Sequence, residues 1–389
     1  MPYIVPDAVR EPLYAVVPYF NPWRWKSREK HTIRAIKHFM DSGATVILVE
    51  ASFNRREFSF ENCDFDQMPA VCEQHSSIKP LLNTSRMTDR PRHQYIQVRT
   101  KSELWLKENL INVAVANLPF DWQNVCWLDS DVMFLRPNWV GECIHKLQHY
   151  KFLQMFSHAR DLGPNYEMLP EEYPHANGVS FINSWMQGTL AEDLSKGGKR
   201  KTNPTILADL KKVRSDIVQL EKDFAKLVED EYYYGYGARR IFPGLAWACT
   251  REAWDEVGGL LDCAIWGGGD WHMAHALVDK TDSMMHTGLS ANYKQIVSQW
   301  HTLAQKHIRQ NVGVMEGSIV HMWHGKKTVR GYGDKHRILA RLGFDPIKHL
   351  KRDFQGVYQL QDDGSKEFIQ LRDSMRKIAK ERNEDGNET

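Results

Sequence analysis

Apolar residues first gather in one unbroken run, Leu13 to Tyr19, within the segment LYAVVPYF. A continuous run of that length predicts a strand buried on both faces. Pro18, Asn21 and Pro22 mark its end. The pattern then changes period. Over Ser27 to Ser42, Ile33, Ile36, Phe39 and Met40 recur at helical spacing, and Gly43 follows as a C-cap. Thr45 to Glu50 (TVILVE) is a second buried strand, so the opening of the chain predicts a βαβ unit. Residues 51–95 are polar and aperiodic and predict no regular element. A helix is predicted over Ser102 to Asn117, with Leu104, Leu110, Ile111, Ala114 and Val115 on its apolar face and Ser102 as N-cap. Strands follow at Asn124 to Leu128 (NVCWL), Phe152 to Phe156 and Gly317 to Val320.

The middle of the chain reads differently. Residues 197–204 (GGKRKTNP) are Gly-rich and basic and predict a mobile loop. Beyond them, Ile206, Leu210, Val213, Ile217, Leu220, Phe224 and Leu227 alternate in steps of four and three, a heptad seam that predicts a long amphipathic helix. That helix packs on its own chain, pairs with a second copy to form an oligomer, or swings as an arm over an acceptor. The residues from 376 onward are highly charged and predict a frayed tail. Four parts follow: an α/β half at 1–187, a basic loop and helical insertion at 188–234, a second half at 235–350, and a helical tail at 351–389.

Composition narrows the class. The chain has 389 residues, 42% hydrophobic and 26% charged, which suits a globular enzyme with a full core. A net charge of +2 gives no general drive toward nucleic acid and leaves only the local stretch Lys196, Lys199, Arg200 and Lys201. Thirteen Trp supply aromatic surface for a core or for stacking on sugars and bases. Six Cys without a CxxC pair fit neither a zinc site nor a disulfide scaffold, and read as thiols of a reducing compartment. Met1 to Arg10 shows no basic-then-apolar leader, and no apolar run is long enough to span a bilayer. The expectation is a cytoplasmic chain with no membrane partner.

Three segments carry chemistry. Asp129-Ser130-Asp131 directly follows a buried strand, where α/β sheets bind ligands, and two carboxylates there suit a hard divalent cation holding a diphosphate. The plain alternative is an Asx turn. Trp266-Gly267-Gly268-Gly269-Asp270-Trp271-His272 opens an apparent helix. Asp270 there is either its cap or a general base kept anionic by the helix start. His321-Met322-Trp323-His324-Gly325-Lys326-Lys327, with Arg330, offers imidazoles for Mn²⁺ beside carboxylates and cations for phosphates, or simply satisfied structural histidines.

The order of these segments resembles glycosyltransferases of the GT-A fold. FPGLAWACTREAWDEVGGLLDCAIWGGGD (242–270) resembles the acceptor-side block of galactosyltransferase-like members. YFNPWRWKSR, LWLKENLINVAV, WLDSDVMF and HMWHG resemble segments of bacteriophage-encoded glycosyltransferases. The resemblance implies a Rossmann-like α/β fold with a mixed central sheet and a long helical insertion, binding a nucleotide sugar, UDP-linked by preference, with Mn²⁺ or else Mg²⁺. It implies Asp129 and Asp131 as the DxD acids, Asp131 as the direct ligand, and His324, or alternatively His321, as the distal ligand. Asp270 would be the base of an inverting enzyme. Asn21, Arg28, Lys107 and Asp129 would face the donor, Lys327 and Arg330 its diphosphate, and Trp266, Gly268, Gly269 and Trp271 the acceptor. One departure is that Trp271 follows Asp270 where the family often continues with acids, which leaves inversion or retention open. The phage-type relatives and the base J glucosyltransferase modify hydroxymethylated bases in DNA. They imply duplex DNA as acceptor, contacted through Lys199, Arg200 and Lys201, with a glycan, protein or lipid-linked acceptor as the alternative. A non-catalytic nucleotide- or carbohydrate-binding protein is the reading from another class.

Overall fold

A computed structural model describes residues 11–62, 93–167, 177–191, 193, 199–201, 236–281, 285–325, 335–381 and 383–385. The expected heptad helix over 206–227, with Lys196, Lys327 and Arg330, lies outside them.

The first eight strands are β1 (Leu13–Phe20), β2 (Thr45–Phe53), β3 (Gln94–Thr100), β4 (Asn124–Leu128), β5 (Val132–Phe134), β6 (Phe152–Gln154), β7 (His158–Asp161) and β8 (Asn177–Ser180). They are followed by β9 (Lys199–Lys201), β10 (Tyr236–Phe242), β11 (Ala246–Thr250), β12 (Val312–Val314) and β13 (Ser318–His321), and the hairpin β14 (Leu350–Arg352) and β15 (Tyr358–Leu360) closes the series. The helices used below are α1 (Lys26–Asp41), α2 (Lys107–Ala116), α3 (Gly269–Leu277) and α4 (Lys366–Glu381).

The fold is α/β with a mixed central sheet. Its seven strands run in the order β12-β6-β11-β4-β1-β2-β3. β1 is parallel to β2 and β4, β2 to β3, and β12 to β6, whereas β11 runs antiparallel to both β4 and β6. A second sheet, β5-β13-β7-β8-β10-β9, stands beside it. The unbroken apolar run of β1 has a direct cause. Tyr14 and Val16 face one hydrophobic cluster, and Leu13, Ala15 and Val17 face another on the opposite side of the sheet. Helix α1 packs Ile36 and Phe39 into the second cluster, α2 packs Leu110 and Ile111 into the first, and Gly43 follows α1 at φ +88°, as a C-cap glycine should.

Three expectations are corrected. Residues 94–100, partly within the stretch read as irregular, form β3, a half-buried strand at the sheet edge with no apolar run to announce it. Helix α2 starts at Lys107, not at Ser102. The Ser102 hydroxyl accepts from the Leu360 amide at 2.9 Å, so this serine ties the chain to the β14–β15 hairpin instead of capping a helix. The tail is ordered well past 376: α4 runs to Glu381, and Glu384 is 1% exposed. Among the described residues no helix is long and apolar enough to cross a membrane. Cys126, Cys143, Cys249 and Cys263 are buried free thiols.

Candidate active site

Asp129-Ser130-Asp131 links the two sheets. β4 delivers Asp129 at the carboxyl edge of the central sheet, where the Asp129 amide donates to the Leu245 carbonyl at 2.8 Å. β5 then leaves into the second sheet, pairing antiparallel with β13 so that Val132 faces His321. The Met322 amide closes the junction on the Asp131 carbonyl at 2.7 Å. This crossing sets the chain's acids beside its histidines.

Asp131 meets both imidazoles. One of its carboxylate oxygens is 3.3 Å from His324 Nε2 and the other is 3.5 Å from His321 Nε2. The two Nε2 atoms are themselves 3.1 Å apart. One carboxylate oxygen and one nitrogen from each ring lie within 4.8 Å of one another. Burial would raise the Asp131 carboxyl, but His321 and His324 prevail and hold it well below the usual carboxylate range. Asp131 Oδ1 is buried and makes no hydrogen bond among the described residues. An oxygen so placed and two facing ring nitrogens form a donor set that fits a divalent cation of the Mn²⁺ kind.

The orientation of His321 has its own support. Parallel pairing of β13 with β7 sets His321 opposite Asp161, and His321 Nδ1 is 2.5 Å from Asp161 Oδ1. A carboxylate accepts, so Nδ1 carries a proton toward Asp161 and the ring is turned with Nε2 toward Asp131 and His324. Sequence reasoning missed Asp161.

Asp129 takes another partner. Its Oδ1 lies 2.5 Å from Lys107 Nζ, and the same ammonium is 4.0 Å from Asp270 Oδ2. Burial alone would discharge this lysine, but Asp129 and Asp270 prevail and hold it protonated. Lys107, expected at the donor, thus bridges two acids across the cavity. Next to it, burial pushes the Glu108 carboxyl up to about 8.

Asp270 sits in the first turn of α3. Gly268 occupies the N-cap position at φ +101°, which an L side chain rarely adopts, and Asp270 Oδ1 accepts from the Trp271 amide at 2.8 Å. The helix start is therefore shaped by glycine, and Asp270 Oδ2 is left toward Lys107. Two glycines make room. A β-carbon on Gly244 would lie 2.0 Å from Asp270 Oδ2, and one on Gly269 would lie 2.8 Å from Glu108 Cδ. Gly244, within the block that opened on FPG, was not singled out in the sequence.

A cavity of about 560 Å³ brings these groups together. It is lined by Phe20, Arg28, His31, Trp105, Lys107, Asp129, Asp131, Gly244, Gly268, Asp270, Trp271, His321, His324 and His336, among others. His31 is buried and lowered to about 4 by that burial. Three expected residues stand elsewhere, and one of them, Gly269, is buried against Glu108 and the Leu261 carbonyl. The Asn21 amide is committed to Trp25 and to the Tyr19 hydroxyl, and Asn21 organises the β1–α1 turn. Trp266 belongs to the hydrophobic core. Lys199, Arg200 and Lys201 form β9, paired with β10, and their side chains lie outside the described residues.

The chain matches no protein-family model and no curated protein. Among solved structures it is similar to a mutant Drosophila β1,4-galactosyltransferase 7 in complex with manganese, UDP-Gal and xylobiose, at 10% identity and a TM-score of 0.27, over 69% of this chain and 62% of that one. It is also similar to the catalytic domain of the Drosophila β1,4-galactosyltransferase 7 with xylobiose, at 10% identity and 0.29, over 74% and 79%. A third is TarS of S. aureus, residues 1–349, at 13% and 0.24, over 77% and 73%. The chain thus spans less than two thirds of the first of these, and likeness of this degree says nothing of what the cavity binds.

Proposed function

We propose that this protein is a metal-dependent glycosyltransferase of GT-A type that moves a hexosyl or pentosyl group from a nucleotide sugar, UDP-linked by preference, to an acceptor hydroxyl. One observation carries the reading: a three-residue metal-ligand set, Asp131, His321 and His324, opens into the same cavity as a carboxylate, Asp270, held at a helix start.

Asp131, His321 and His324 would hold the divalent ion, with Asp161 fixing the His321 ring. When bound, such an ion supplies positive charge for the departing diphosphate. The remaining work falls to the chain. Asp270, in the first turn of α3 and 4.0 Å from Lys107 Nζ, takes the proton of the acceptor hydroxyl. The acceptor oxygen forms its bond to the anomeric carbon as the bond to the diphosphate oxygen breaks, which inverts the centre. Lys107 also pairs with Asp129, so the cavity does not present two bare carboxylates to an anionic donor. Trp271 and Gly268, on the wall beside Asp270, would meet the acceptor.

The test is transfer from radiolabelled UDP-sugars with Mn²⁺ to hydroxymethylated duplex DNA, unmodified DNA and a glycan panel. Sugar on the modified duplex alone identifies the DNA acceptor that the basic stretch suggests. Metal-dependent hydrolysis with transfer only to glycans places the acceptor there. Donor binding without turnover replaces the enzyme with a binding protein.

A further inference from the structure

Arg28, in the first turn of α1, lines the cavity together with Phe20 and Trp105. Its guanidinium carbon lies 5.3 Å from the Phe20 ring centre, 5.2 Å from that of Trp25 and 5.9 Å from that of Trp105. Its Nη1 donates to the Phe20 carbonyl, the last of β1, at 2.7 Å. The other edge of the fork is taken by a residue 356 positions away. Nε and Nη2 donate to the two carboxylate oxygens of Glu384 at 2.5 and 2.7 Å. The Glu384 carboxylate is itself buried.

The neighbouring residue does complementary work. Trp25, at the N-cap position of α1, provides no side-chain cap, and the free amides of Lys26 and Ser27 donate instead to the Asp385 carboxylate at 2.9 and 2.8 Å. The Ser27 hydroxyl donates to the Glu384 carbonyl at 3.3 Å. One dipeptide after α4 therefore closes the start of α1 and clamps the arginine of the cavity wall. A bidentate pair of this kind fixes the plane of a guanidinium as well as its charge.

We propose that Glu384 is a positioning residue for the donor: it holds Arg28 flat among Phe20, Trp25 and Trp105, so that a segment from the far end of the fold completes the wall on which the donor's nucleotide rests. The inference depends on the cavity taking a nucleotide sugar. Paired with Glu384, Arg28 is no free phosphate-binding charge, and its service to the donor is to keep Phe20 and Trp105 in place.

The experiment titrates UDP with Mn²⁺ into the full chain by calorimetry and measures kcat and KM for the donor, in wild type, Glu384→Gln and Asp385→Ala. Glu384→Gln keeps the shape and loses the charge. It is expected to weaken UDP by about tenfold and raise the donor KM alike, with kcat retained. Asp385→Ala loses the α1 cap but not the Arg28 pair, and is expected to lower the melting temperature with UDP affinity unchanged. UDP affinity in Glu384→Gln equal to wild type overturns the proposal, because the pair is then structural only. Tighter affinity also overturns it, since Glu384 would then compete with the donor. Should Glu384→Gln not fold, Glu384→Asp, which keeps the charge but withdraws it by one methylene, must show the same KM rise. A wild type that binds no UDP fails the glycosyltransferase reading itself, and the clamp with it.

Discussion

His321 on β13 and Asp161 on β7 stand opposite one another across a parallel strand pair, with Nδ1 of the histidine 2.5 Å from Oδ1 of the aspartate. The contact selects which ring nitrogen faces the cavity. Asp161→Asn removes the acceptor charge and frees the ring to turn. Metal affinity is expected to fall by about 10–100-fold, with the fold retained. Mn²⁺ titration followed by electron paramagnetic resonance reads this directly, and an unchanged affinity would separate Asp161 from the metal set.

Gly244 and Asp270 provide a steric test of the base. A β-carbon at position 244 would sit 2.0 Å from Asp270 Oδ2, so Gly244→Ala must displace the carboxylate. Small misplacement of a reacting group costs on the order of a hundredfold in rate. The variant is expected to lose kcat by about that factor while donor binding, measured by calorimetry, stays near wild type. Asp270→Asn, which loses the base itself, is expected to lose about 10²–10⁴-fold in kcat. Full turnover in both variants would remove Asp270 from the chemistry.

Glu108 gives a stability prediction with a defined sign. Burial raises its carboxyl from an ordinary 4.5 to about 8, so the folded chain holds this proton more tightly than the unfolded chain. The contribution is complete below about pH 4.5 and is lost as pH rises through about 8. Glu108→Gln, which cannot ionise, is expected to be more stable than wild type by up to about 5 kcal/mol above pH 8 and to lose most of that advantage near pH 5. Urea denaturation at pH 5 and pH 9 checks it; an advantage that does not grow with pH would contradict the assignment.

Lys107 joins Asp129 at 2.5 Å to Asp270 at 4.0 Å. Lys107→Met leaves two acids facing the cavity without their cation. The donor is then repelled, and KM is expected to rise by at least about tenfold. Lys107→Arg should recover part of the loss, and steady-state kinetics on the pair tests this.

The sequence made much of this legible where the signal is local. β1, β2 and β4 are apolar runs because both faces of the central sheet are covered, and Asp129 and Asp131 are conspicuous because they follow one such run without a gap. His321 and His324 stood out as two imidazoles three positions apart in one short segment. What stayed hidden depends on pairing across the chain. Asp161 matters only through the register of β7 against β13, Gly244 only through where α3 delivers Asp270, and Glu384 only because it reaches Arg28 from 356 residues away. Lys107 was noticed, but its bridging of two acids depends on α2 packing against β1 and β2, which sets the lysine beside Asp129 and Asp270. β3 was missed because an edge strand that is half buried carries no periodic run.

The most direct test of the central claim is calorimetric titration of UDP into wild type and Asp131→Ala, each with Mn²⁺ and with a chelator. The account predicts tight binding to wild type that weakens by at least about a hundredfold without metal, and Asp131→Ala behaving as the metal-free protein does. Equal UDP affinity in all four arms, or metal-dependent binding that survives in Asp131→Ala, would contradict it.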